Sequence, residues 1–194
     1  MEIKTIAIVG AANLGRRIAY EAARAGYRAI LEDVSPVALE QGIARIAQAL
    51  ANDVAAGRIQ STDRVAALAN LTTAASAEDA SREADLIIEA VADEMEVKIE
   101  LFTIFDKFAK PGAIFASTTT SLSISEMADV TFCPERCIGM RFFADAQNAN
   151  RLELVKGRET SEQTVAACRE VGRRMGNQVL VTSDVQVLNT SADD

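Results

Sequence analysis

The chain has 194 residues, with 20 basic and 28 acidic side chains, a formal charge of −8 and no histidine. Histidine is the usual general base near neutral pH and the commonest metal ligand, so its absence removes Ser-His-Asp and Cys-His mechanisms and every His-ligated metal site. The acidic balance argues against a non-specific nucleic-acid binder, and no apolar run approaches the roughly 18 residues of a membrane span, so a soluble, cytoplasmic protein is expected. Residues 3–9 form a short isoleucine-rich strand closed by Gly10, and 13–25 repeat apolar residues at helical spacing until Gly26. A second strand is expected over 27–33. Ser35-Pro36 then supplies an N-cap and a first-turn proline for an Ala-rich helix reaching about residue 56, with a shorter helix over 62–68 completing a helical hairpin. A weak strand follows at 71–73. The run DLIIEAV (85–91) has the continuous apolar character of a strand buried on both faces of a parallel sheet.

Residues 94–108 place Val97, Leu101, Ile104, Phe105 and Phe108 on one stripe, the pattern of a packed amphipathic helix. Pro111-Gly112 turns the chain into a buried strand at 113–117, and Ser123 with Glu126 reads as a capping box. Strands at 137–143 and 151–155 flank a polar loop over 145–150. Thr160 with Gln163 is expected to cap a last helix reaching Met175, and a strand at 178–182 closes the sheet. Strands alternating with helices in this way predict an α/β fold: a doubly wound, mostly parallel, Rossmann-like sheet with an inserted helical hairpin at about 36–69. Residues 1–184 form one domain in this reading, with a loose tail over 185–194. Cys133, Cys137 and Cys168 are odd in number and lack C-x-x-C spacing, so buried free thiols are expected, with neither disulfide framework nor metal site.

The segment IAIVGAANLGRRIA lies after the first strand and across the start of the first helix, where a G-x-G-x-x-G fingerprint belongs. Gly10, Ala12 and Gly15 take the three glycine positions, with Asn13 and Leu14 between the last two. The middle position has gained a methyl group, directed to where backbone approaches a pyrophosphate. Asp33, at the end of the second strand, suits the ribose hydroxyls and favours NAD over NADP. A plainer reading has Asp33 capping the next helix. Arg16 and Arg17 bring positive charge to a helix start, which is unusual unless both point to solvent.

With GAANLGRRIA, DLIIEAVADEMEVK, FASTTTSLSI, CIGMRFF and LELVKG in order, the chain resembles the NAD-binding domain of the 3-hydroxyacyl-CoA dehydrogenases, over residues 3–184. The resemblance implies NAD as cofactor, with Asp93 and Lys98 at cofactor-contacting positions and Thr118 where the family has asparagine. By residue type alone, Lys98 could instead be a solvated i,i+4 partner of Glu94. The family's general base is a histidine in G-x-H-F-F-N-P, oriented by a glutamate; here Arg141 stands at the histidine position and Glu153 at the glutamate. Thr120 takes the place of a substrate-binding serine, and Ala144 and Asp145 replace the motif's asparagine and proline. A guanidinium stays protonated at physiological pH and cannot accept the hydroxyl proton, so intrinsic dehydrogenase activity is in doubt.

Arg141 is therefore expected to pair with Glu153 across two strands. The resemblance also implies a C-terminal helical domain that completes an acyl-CoA pocket; these 194 residues are expected to comprise the NAD-binding domain without it, and the surface it would cover is expected to favour a homodimer or another partner. Two alternatives remain open at this level. One is an NAD-dependent reductase of another keto or hydroxy acid, with Arg141 binding a carboxylate or polarising a carbonyl. The other is a non-catalytic interaction module.

Overall fold

The computed structural model describes residues 2–144 and 150–184. Eight strands form one sheet in the order β3-β2-β1-β4-β5-β6-β7-β8. They are β1 (Thr5–Val9), β2 (Arg28–Glu32), β3 (Leu71–Thr73), β4 (Leu86–Glu89), β5 (Ile114–Ser117), β6 (Cys137–Ala144), β7 (Asn150–Lys156) and β8 (Gln178–Ser183). Strands β1 to β6 pair in parallel, β7 runs antiparallel to β6, and β8 lies parallel to β7. The order 3-2-1-4-5-6 is that of the dinucleotide-binding fold, and its crevice opens between β1 and β4, where the strand order reverses.

The period-2 alternation of the strands divides the core. Ile6 and Ile8 face one layer, with Ile18 and Ala22 of α1 (Asn13–Arg24) and Val165 and Val171 of α7 (Glu162–Arg174). Ala7 and Val9 face the other, where Phe102 and Phe105 of α5 (Met95–Phe108) and Phe115 form a cluster of tilted and edge-on rings with centroids 5.7 to 6.3 Å apart. The helical hairpin, α2 (Pro36–Ala55) and α3 (Ser61–Ala69), packs on α1; Asp53 pairs with Arg24 of α1 and with Arg58 in the hairpin's own connection. The short α6 (Ile124–Ala128) follows β5; Asp184 accepts from the Ser123 hydroxyl at 2.8 Å and the Ser125 amide at 3.0 Å, fastening the end of β8 to the start of that helix.

Four expectations change. Residues 77–83 form a helix, α4 (Ala77–Glu83), that the sequence reading leaves out. Its seven residues are too few to show a 3.6-residue period, and its signal is the Ser76 cap on the Asp79 amide. The last helix is capped by Ser161, not Thr160, because Ser161 accepts from the Thr164 amide while Thr160 is buried, taking the Gly157 amide and donating to the Cys137 carbonyl. In α5 the interior positions are Lys98, Phe102 and Phe105, whereas Val97 is exposed. Gln60 and Asp63 form a reciprocal capping box at α3, which the spacing did not suggest. Of the polar loop at 145–150 only Asn150 is described, as the first residue of β7, and the tail at 185–194 lies outside the described residues. All three cysteines are free and buried.

Candidate functional site

At the end of β1 the chain makes a turn that only glycine permits at two positions. Gly10 has φ +108°, and a Cβ there would lie 2.7 Å from the Ala90 carbonyl oxygen; a Cβ on Gly15 would lie 1.8 Å from the Gly10 carbonyl oxygen. Ala12, by contrast, is the N-cap of α1 with φ −68° and ψ −174°, an extended conformation open to any residue, and its methyl is exposed. The methyl therefore leaves the turn intact. The amides of Asn13 and Leu14 donate no hydrogen bond among the described residues, as expected for the open end of a helix. Together with the helix dipole they form a cradle that fits a pyrophosphate.

Asp33 fixes this turn against β2. One carboxylate oxygen accepts from the Ala11 amide at 2.7 Å and the other from the Ser35 amide at 2.9 Å. The cap of α2 is Ser35, accepting from the Ala38 amide, so the plainer reading of Asp33 as the helix cap is set aside. Each oxygen keeps a second lone-pair direction, and a half-buried carboxylate at the end of β2 remains able to take ribose hydroxyls. Next to it Glu32 is 2% exposed. Burial first, then the charges of Asp33 and Glu78, push its carboxyl up to about 7.

Across the crevice, Lys98 is fully buried and reaches both oxygens of Glu89 at 2.7 Å. This replaces the solvated Glu94 pairing considered from the sequence. Glu89 also accepts from the Ser117 hydroxyl at 2.6 Å and the Thr118 amide at 3.1 Å, which fixes the start of the loop after β5. Asp93, at the mouth, lies 3.6 Å from the Lys98 ammonium and accepts from the Ser121 hydroxyl at 3.1 Å. Desolvation works against its charge, yet hydrogen bonds from Thr119 and Ser121 and the Lys98 charge hold its carboxyl below the usual range. Thr118 is buried at the head of this loop and Thr120 is exposed on it.

Arg141 and Glu153 face each other in the antiparallel β6–β7 register, and Nη1 stands 3.5 Å from the carboxylate. The side chains are 16% and 19% exposed, so the pair is part-buried rather than sealed. The shorter contact of Arg141 is a different one: Nε donates to the Thr119 carbonyl at 2.8 Å. Glu153 is held in turn by the Thr182 hydroxyl of β8 at 3.0 Å. A guanidinium so placed links β6 to the loop after β5 and contributes no proton acceptor. Of the other motif replacements, Ala144 ends β6 and Asp145 lies outside the described residues.

Glu89, Ser117 and Thr119, which join the two halves of the cleft, were absent from the sequence-level candidates. The one signal for Glu89 was a lone acid inside the apolar run DLIIEAV. No group of three or more potential metal ligands exists among the described residues, and no described helix is long and apolar enough to cross a membrane.

The family model described as 3-hydroxyacyl-CoA dehydrogenase, NAD binding domain, matches residues 5–185. A probable 3-hydroxybutyryl-CoA dehydrogenase of Bacillus subtilis is 36% identical over 184 residues, 95% of this chain and 64% of that protein. A 3-hydroxybutyryl-CoA dehydrogenase of Bradyrhizobium diazoefficiens is 35% identical over 94% of this chain and 62% of its own length. The chain thus spans just under two thirds of the curated relatives it matches. Among solved structures, the (S)-3-hydroxybutyryl-CoA dehydrogenase of Ralstonia eutropha superposes with a TM-score of 0.88 at 30% identity, covering 95% of this chain and 65% of that one.

Proposed function

The chain belongs to the 3-hydroxyacyl-CoA dehydrogenase family as an NAD-binding domain, and from that premise we propose that it holds NAD but has lost the proton transfer that its relatives' names imply. NAD, when bound, supplies a hydride acceptor or donor. This chain's residues would hold it: the turn from Gly10 through Ala12, Asn13 and Leu14 to Gly15 at the pyrophosphate, Asp33 at the adenosine ribose, and Asp93, Lys98 and Thr118 on the nicotinamide side. Lys98 does so by ordering the cleft wall, since its ammonium is spent on Glu89. The acyl-CoA named in the relatives, or a small keto or hydroxy acid, would meet Thr120 and Arg141.

The observation that carries this reading is the commitment of Arg141. Its Nε is bound to the Thr119 carbonyl and its charge faces Glu153. Oxidation of a hydroxyl needs an acceptor for the hydroxyl proton, and neither a guanidinium nor a threonine hydroxyl supplies one. A keto-acid reductase using Arg141 as its carboxylate anchor is less well supported, because Glu153 already offsets the charge a second carboxylate would need. A reducing, cytoplasmic setting fits the three free, buried cysteines.

Titration of the protein with NADH, followed by cofactor fluorescence, tests the binding half, with saturable binding expected. Assay of the parent and of Arg141→His with acetoacetyl-CoA and NADH tests the other half. The parent should show no turnover, and Arg141→His should gain some if Glu153 can orient the new imidazole.

A further inference from the structure

The turn carries a cation where a helix start disfavours one. Arg16 lies in the first turn of α1, a turn without any acidic residue, and the partial positive charge of a helix N-terminus repels a guanidinium. Its side chain does not escape to solvent. Nη1 donates to the Ala11 carbonyl at 2.9 Å and Nη2 to the side-chain oxygen of Asn13, folding the guanidinium back over the turn. The stem runs beside α2, where a Cβ on Gly42 would lie 3.6 Å from Arg16 Cδ, in ordinary contact. A cation is thus held beside the Asn13 and Leu14 amides, which have no partner among the described residues.

A ligand that turns this arrangement favourable is an anion seated on the same amides. We propose that Arg16 is a cofactor-anchoring residue, adding a charge-assisted contact to a pyrophosphate seated on the open amides of the turn. This inference rests on the reading that the cleft binds NAD. It goes beyond that reading in assigning part of the affinity to a side chain outside the glycine fingerprint.

The test compares parent, Arg16→Gln and Arg16→Lys by binding of NADH, ADP and adenosine at low and high salt. Arg16→Gln should bind NADH and ADP about tenfold more weakly at low salt. The gap should close to within about twofold near 1 M salt, where screening acts over about 3 Å. Adenosine, which has no phosphate, should bind both proteins alike, and Arg16→Lys should keep most of the affinity for ADP. Equal binding of NADH by parent and Arg16→Gln overturns the proposal while leaving NAD binding intact. A loss that is the same for adenosine and indifferent to salt also overturns it, because it would mean that Arg16 only braces the turn. Failure of the parent to bind NADH removes the functional reading and this inference together.

Discussion

At the residue scale the proposed loss of chemistry rests on position 141, and the order of the cleft wall rests on position 98. The zero histidine count already excluded the common general base, and the motif alignment placed the loss at one residue. The family resemblance also supplied the partner, Glu153, which the β6–β7 register places opposite Arg141. It did not foresee Thr119, because a backbone carbonyl has no letter in a sequence, and that contact is the shorter of the two. Arg141→Ala should cost about 1 to 3 kcal/mol in urea unfolding, less than the roughly 3 to 5 kcal/mol of a sealed ion pair, since both side chains keep some contact with water. Lys98→Met should cost about 3 to 5 kcal/mol, because it leaves Glu89 charged and buried, and adding Glu89→Gln should recover part of that loss. Glu32 gives a pH signature. Burial raises its folded carboxyl to about 7 from the ordinary 4.5, so its contribution to stability is whole below about 4.5 and is lost as pH rises through 7. Glu32→Gln should flatten the stability profile across that window; an unchanged slope would show that Glu32 ionises as readily folded as unfolded.

Long periodic segments were legible in the sequence at the element scale, and short ones were not. The strand-turn-helix unit at Gly10, the helical hairpin and the buried strand with its following helix were all expected and all appear. The seven residues of α4 carry too few turns for a period, so only its cap could announce it. In α5 the stripe was misjudged because Lys98 lies inside: the rule that lysine faces solvent fails where a buried carboxylate receives it. Cap assignment at α7 failed for a similar reason. Thr160 and Ser161 are equally good cap residues by type, and only the buried contacts of Thr160 distinguish them. Ser161→Ala should lower stability by about 1 kcal/mol through loss of the cap on the Thr164 amide, visible as a lower urea midpoint at unchanged m-value. Equal midpoints would show that Thr160 or water caps the helix instead.

For the whole molecule, one hydrogen-bonded path joins the two halves of the cleft. Lys98 holds Glu89, Glu89 holds Ser117 and Thr118, the Ser117 hydroxyl accepts from the Thr119 amide at 3.2 Å, the Thr119 carbonyl receives Arg141, and Arg141 faces Glu153, which Thr182 of β8 supports. The wall formed by Lys98 and Glu89 and the Arg141–Glu153 pair are therefore parts of one framework. Arg141 takes part in that framework through the Thr119 carbonyl and Glu153, a structural role that needs no proton transfer. The most direct measurement is a single-turnover experiment: the protein is saturated with NADH, acetoacetyl-CoA is added, and NADH absorbance is followed. The account predicts saturable NADH binding with no oxidation above the protein-free rate. Oxidation of NADH by the parent chain, abolished in Arg141→Ala, would contradict it.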